Sequence, residues 1–194
     1  MTDYKIWLGY LAVVLGFIGY YPYFKDLLQN KTRPHIFSWL LWGIIEAIIF
    51  AIQVNQNAGP GAWVSGATAL ICFTVAALSY KKGLKDFPII DWILLSSSLF
   101  SLLLWWYTKN PLGSVILLII TDACGFAITV RKTYNNPHSE TLVTYIFSAL
   151  KSFIAIFALQ TYNPSTWLFL AYLGVSNTLF VITIYLRRQQ LLNK

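Results

Sequence analysis

Charge is scarce in this chain. Only 11% of its 194 residues are Asp, Glu, Lys or Arg, where a soluble domain carries about 25%. That scarcity, beside long apolar runs, excludes an ordinary water-soluble domain and points to a chain solvated by lipid. Cysteine is nearly absent. Cys72 and Cys124 both fall inside apolar runs, which excludes a disulfide framework and leaves the redox compartment unreadable. There are two histidines, no spacing that suits a metal ion, and no nucleophile beside a base. An enzyme is therefore the least expected class, with no cofactor and no metal. A cleavable leader is not expected either: the first apolar run is too long for one and lacks a small-residue cleavage site.

Apolar runs fill the chain instead. Hydrophobic residues make up 57% and aromatics 17%, with eight Trp, and mean hydropathy is +0.61. A helix of about 20 apolar residues crosses the roughly 30 Å hydrocarbon layer. Seven such runs are legible, near 5–29, 35–56, 61–80, 89–107, 111–131, 139–160 and 165–187. Breaks such as "QNKTRPH", "NQNAGPG" and "RKTYNNPH" separate them, with prolines at or near the helix starts, where a missing N–H costs nothing. The net charge of +7 suggests nucleic acid at first sight, but the cations follow the breaks. Lys25, Lys31, Arg33, Lys81, Lys82, Lys85, Arg131, Lys132, Arg187, Arg188 and Lys194 flank alternate breaks, while the others carry at most Lys109. That is a positive-inside pattern, with the N-terminus outside and the C-terminus cytoplasmic. No nucleic-acid partner is expected. Trp63, Trp105, Trp106 and Trp167 then fall near the outer interface, as belt anchors.

The chain also repeats itself. Pro34 matches Pro137, His35 matches His138, Ser38 matches Thr141, Trp42 matches Tyr145 and Phe50 matches Phe153, all 103 residues apart. Pro60 and Pro164, like Trp63 and Trp167, are 104 apart. The expected fold is an all-α membrane protein, a single transmembrane domain over 1–194. Two parallel three-helix repeats, 1–83 and 109–194, are joined by one linker helix, 84–108. A single linker helix gives both repeats the same direction across the membrane.

On these residues the chain resembles the PQ-loop superfamily, which includes the SWEET sugar facilitators, cystinosin-like exporters and the KDEL receptor. The local signature is "GYYPYFKDLLQNKTRPHIFSW" (19–39). Pro22 matches the motif's proline, whereas Tyr23 stands at its Gln, and Gly125-Phe126 replace Pro-Gln in the second copy. The resemblance implies alternating access around a midplane site, with Pro22 and Gly125 as hinges. It also draws attention to Asn177, because SWEETs carry a substrate-binding asparagine in the seventh helix. Bacterial vitamin transporters of the nicotinamide riboside type share the 3+1+3 count.

Three charges lie near the middle of their runs: Glu46, Asp122 and Lys151. Each lies ten to twelve residues into its helix, which at about 1.5 Å per residue is near the bilayer centre. Facing lipid, each would cost on the order of 2.5–3.5 kcal/mol. They are expected to face the interior, and Glu46 and Lys151 to face each other across a central path. Helical spacing puts Trp42 on the face of Glu46, and Tyr145 on that of Lys151. The expected substrate-binding residues are Trp42, Glu46, Asp122, Tyr145, Lys151 and Asn177. Trp42 and Tyr145 would stack on a sugar or planar ring, and Glu46 or Asp122 would carry a proton.

The expected function is a transporter or facilitator of a small polar metabolite, sugar-like or amino-acid-like, with proton coupling as an option. The expected location is a bacterial inner or plasma membrane, with the lipid bilayer and a small-molecule substrate as partners and a homo-oligomer left open. The alternatives are a vitamin- or nucleoside-type transporter and a binding or cargo receptor without a transport cycle. A retinal photoreceptor is disfavoured because the lysine is not in the last helix.

Overall fold

The structure, a computed structural model, describes residues 3–29, 36–82, 88–138 and 140–192. Lys31, Arg33, Pro34, His35, Lys85 and Lys194 lie outside the described residues. Apolar composition dictates helices: in lipid every backbone polar group must be satisfied within its own segment. The described residues form α1 (Asp3–Leu28), α2 (Ile36–Asn55), a short 3-10 turn (Gly59–Ala62), α3 (Trp63–Lys82), α4 (Ile89–Thr108), α5 (Pro111–Asn135), α6 (Leu142–Phe157) and α7 (Pro164–Leu192). Six helices are long and apolar enough to cross a membrane, all but α6. Their outward faces carry residues such as Trp7, Phe17, Leu70, Phe100, Leu103 and Leu179. Soluble proteins rarely expose apolar surface of this extent, so this is a helical membrane protein.

α6 is shorter than the expected 139–160, for a local reason at its start and a long-range one at its end. Thr141 is extended, with φ −87° and ψ 97°, so the helix starts only at Leu142. At the other end Ala158 closes the helix, and the Gln160 N–H turns away to donate to the Ala58 carbonyl at 2.8 Å. Other helix ends fall close to the expected ones, although α5 and α7 run several residues further.

The helices touch in the cyclic order α1, α3, α2, α5, α7, α6 and back to α1, while α4 packs on α2 and α5. The serine run of α4 makes that last packing close. Ser97 and Thr121 share a hydrogen bond of 2.7 Å, and Ser114 donates to the Ser101 carbonyl at 2.7 Å. Small polar residues let helices approach in lipid, where hydrophobicity does not drive association. A Leu–Ile core with Phe169 joins α2 to α4, α5 and α7. A second core joins α1, the 3-10 turn, α3, α6 and α7.

Candidate functional site

The three interior charges sit on three different helices, and all are buried: Glu46 is 6%, Asp122 6% and Lys151 2% exposed. Burial follows from the faces that the spacing set. On α2, Trp39, Glu46 and Gln53 are buried at seven-residue steps; on α6, Thr144, Lys151, Ser152 and Ala155 are buried together.

Lys151 reaches across the bundle from α6. Its ammonium donates to Thr68 Oγ1 of α3 at 2.6 Å and stands 5.2 Å from the Tyr20 ring of α1. Its stem lies along α1 at Gly16, where an added Cβ would be 3.4 Å from Lys151 Cδ. Lys151 thus takes a hydroxyl and an aromatic face as its close neighbours, and its hydrogen bond goes to Thr68, not to Glu46. The charges of Lys151 and Asp122 still reach Glu46 through space. Glu46 Oε2 is buried without a hydrogen-bond partner, as is the Ser65 hydroxyl of α3. Asp122 is held differently: the Tyr172 hydroxyl of α7 donates to its Oδ2 at 2.7 Å.

The cluster therefore contains Tyr20, Glu46, Thr68, Asp122, Lys151 and Tyr172, drawn from six helices. Three of these were expected. Tyr20, Thr68 and Tyr172 were not, because a Thr or Tyr in an apolar run attracts no notice. One signal was available: Thr68 and Tyr172 are 104 residues apart, the register of the Pro60/Pro164 and Trp63/Trp167 matches. Each of the two holds one interior charge.

The other expected residues lie at its margin. Trp42 packs edge-on against Trp39, ring centres 5.5 Å apart, and Trp39 in turn meets the Tyr23 and Tyr20 rings. Tyr145 packs on Phe180 at 4.4 Å and on Phe126 at 6.2 Å, and its hydroxyl donates to Glu140 Oε2 at 3.2 Å. Asn177 is buried but turns its amide onto its own helix, donating to the Leu173 carbonyl at 2.7 Å. Pro22 sits inside α1, which continues through it to Leu28. Gly125 has room around it: an added Cβ would find Leu94 at 3.7 Å and Leu41 at 3.9 Å. Cys72 is buried and Cys124 exposed, both unpaired.

Beyond the cluster, towards the Asn55 end of α2, the structure is sealed. Lys5 donates to the Leu159 carbonyl at 2.6 Å, Thr161 to the Asn57 carbonyl at 3.0 Å, and the Gln53 amide to the Thr166 carbonyl at 2.9 Å. Gly61 lets the 3-10 turn lie against α6, since a Cβ there would stand 2.6 Å from the Ala155 carbonyl oxygen. Every one of these bonds joins the region before α4 to the region after it.

What this arrangement can do chemically is bind and exchange protons or hydrogen-bonding groups. Two carboxylates, one ammonium and three hydroxyls share one interior. No known protein family, characterised protein or solved structure matches the chain.

Proposed function

We propose that this chain is a membrane transporter or facilitator of a small polar metabolite, sugar-like or amino-acid-like, working by alternating access between two three-helix halves. The observation that carries the reading is the buried charge cluster: Lys151 of one half bonded to Thr68 of the other, beside a Glu46 oxygen that accepts nothing. Charges at such depth are costly and mark ion or substrate paths in membrane proteins. A polar solute entering between the halves would supply a donor to Glu46 Oε2 and compete for the Lys151–Thr68 bond.

The helix contacts support the repeat. α3 packs on α1 and α2 as α7 packs on α5 and α6, and the pairs α1–α6 and α3–α6 have counterparts in α2–α5 and α2–α7. Exchanging the two halves maps each of these pairs onto its counterpart. On this reading α6, with the ordered turn after it, completes a seventh span. The topology is N-terminus outside and C-terminus cytoplasmic, in a bacterial inner or plasma membrane. The count and the motif around Pro22 favour membership of the PQ-loop and SWEET-like group.

The test is uptake into proteoliposomes from a panel of sugars, amino acids and nucleosides, with and without a pH gradient. Glu46→Gln should abolish pH-driven accumulation while keeping exchange of the same solute. Wild-type pH dependence surviving in that variant would sink the coupling role.

A further inference from the structure

The crevice between α5 and α7 faces outward and shares only Tyr172 with the charge cluster. Two contiguous hollows run along it. One, of about 490 Å³, is lined by residues including Ala123, Phe126, Ala127, Arg131 and Tyr134. The other, of about 610 Å³, is lined by residues including Ile116, Ile120, Leu168, Ala171 and Val175. Tyr172 and Ser176 belong to both. The walls are apolar over most of their length and cationic at one end. There Arg131 lines the hollow, and the Arg187 guanidinium stands 4.8 Å from the Tyr134 ring. Arg187 Nε is buried with no hydrogen-bond partner. Its Nη1 donates to Gln190 at 3.3 Å. Neighbouring Arg188 is committed to the chain itself, donating to the Pro137 and Glu140 carbonyls at 2.8 and 3.0 Å. Arg131 on the lining and Arg187 with its unpartnered Nε are thus two described cations at this end of the crevice.

We propose that this crevice is a binding site for an anionic phospholipid, its acyl chain along α5 and α7 and its phosphate between Arg131 and Arg187. Charge complementarity selects the occupant. Basic pockets between transmembrane helices bind acidic headgroups, and guanidinium groups match phosphate with paired donors. On the orientation proposed above, the headgroup lies in the cytoplasmic leaflet. The chain of the lipid lies against the Tyr172 ring, whose hydroxyl holds Asp122, so the crevice adjoins the central cluster through one side chain.

The full chain, purified in a neutral detergent, is titrated separately with dioleoyl phosphatidylglycerol and dioleoyl phosphatidylcholine, and bound lipid is counted by native mass spectrometry. Wild type should retain the glycerol lipid at about tenfold lower concentration, given two cations near the headgroup. The R131Q/R187Q variant should bring the two lipids to within about twofold of each other. Ala127→Trp, which fills the crevice and keeps both arginines, should lower retention of both. Free glycerol 3-phosphate should not displace the lipid. Equal retention of the two lipids by wild type, an undiminished preference in R131Q/R187Q, or displacement by glycerol 3-phosphate overturns the proposal. Should R131Q/R187Q fail to fold, Ala127→Trp decides: wild-type retention in that variant overturns it.

Discussion

Thr68 and Glu46 answer to opposite demands. Thr68 Oγ1 accepts from the Lys151 ammonium, and its own proton goes to the Val64 carbonyl at 2.7 Å. Thr68→Val keeps the shape and leaves a buried ammonium with only the Tyr20 ring beside it. It should lower stability by about 1–2 kcal/mol, read from the unfolding midpoint in detergent, while Thr68→Ser stays near wild type. Glu46→Gln replaces a carboxyl group whose Oε2 has no hydrogen-bond partner. Its stability should stay within about 0.5 kcal/mol of wild type or rise. A larger loss than that of Thr68→Val would mean that the carboxylate has a partner in the membrane-embedded state. The positions of Glu46, Asp122 and Lys151 were legible because a charge in an apolar run stands out by itself. Their hydrogen-bond partners were not, since which hydroxyl meets which charge depends on helix rotation.

At the scale of single helices, small residues decide how closely neighbours approach. A Cβ on Gly43 of α2 would stand 2.7 Å from the Phe73 ring of α3, and one on Gly174 of α7 would stand 2.7 Å from the Phe153 ring of α6. Gly43→Ala and Gly174→Ala should therefore each destabilise by about 1–3 kcal/mol through overpacking. Gly125→Ala meets nothing closer than 3.7 Å and should leave the unfolding midpoint within about 1 °C of wild type. If Gly125 bends during transport, that same variant should slow uptake several-fold, and an unchanged uptake rate would remove it as a hinge. Helix existence was legible throughout, since long apolar runs in lipid have no other way to satisfy their backbone. The early end of α6 was not, because it is set by a hydrogen bond to Ala58 about a hundred residues away.

Over the whole molecule, the sealed side is the feature most open to test. On the proposed alternating access, the Lys5–Leu159 bond is one latch between the two halves. Lys5→Met removes a charge-assisted hydrogen bond of about 1.5 kcal/mol, enough to shift an open–closed equilibrium roughly tenfold. Ala12 is buried in the core beside the 3-10 turn, so a cysteine placed there reports opening. In a chain without Cys72 and Cys124, Ala12→Cys should react with a membrane-impermeant thiol reagent several-fold faster when Lys5→Met is added. An unchanged labelling rate would show that the seal does not depend on this latch.

The sequence by itself determined the apolar solvent, the helices and the position of the three interior charges along them. Each of these depends only on local composition and on counting residues along a helix of known rise. Trp42 and Tyr145 were placed on faces with the charges by the same counting, and Asn177 by the family resemblance; the structure packs Trp42 on Trp39 and Tyr145 on Phe180, and turns the Asn177 amide onto its own helix. Tertiary structure alone decided that Lys151 bonds Thr68 instead of Glu46, that Tyr172 holds Asp122, and that the Asn55 end of α2 is sealed. Those outcomes depend on the rotation and distance of helices far apart in the chain, which packing of glycines against aromatic rings sets and periodicity does not encode.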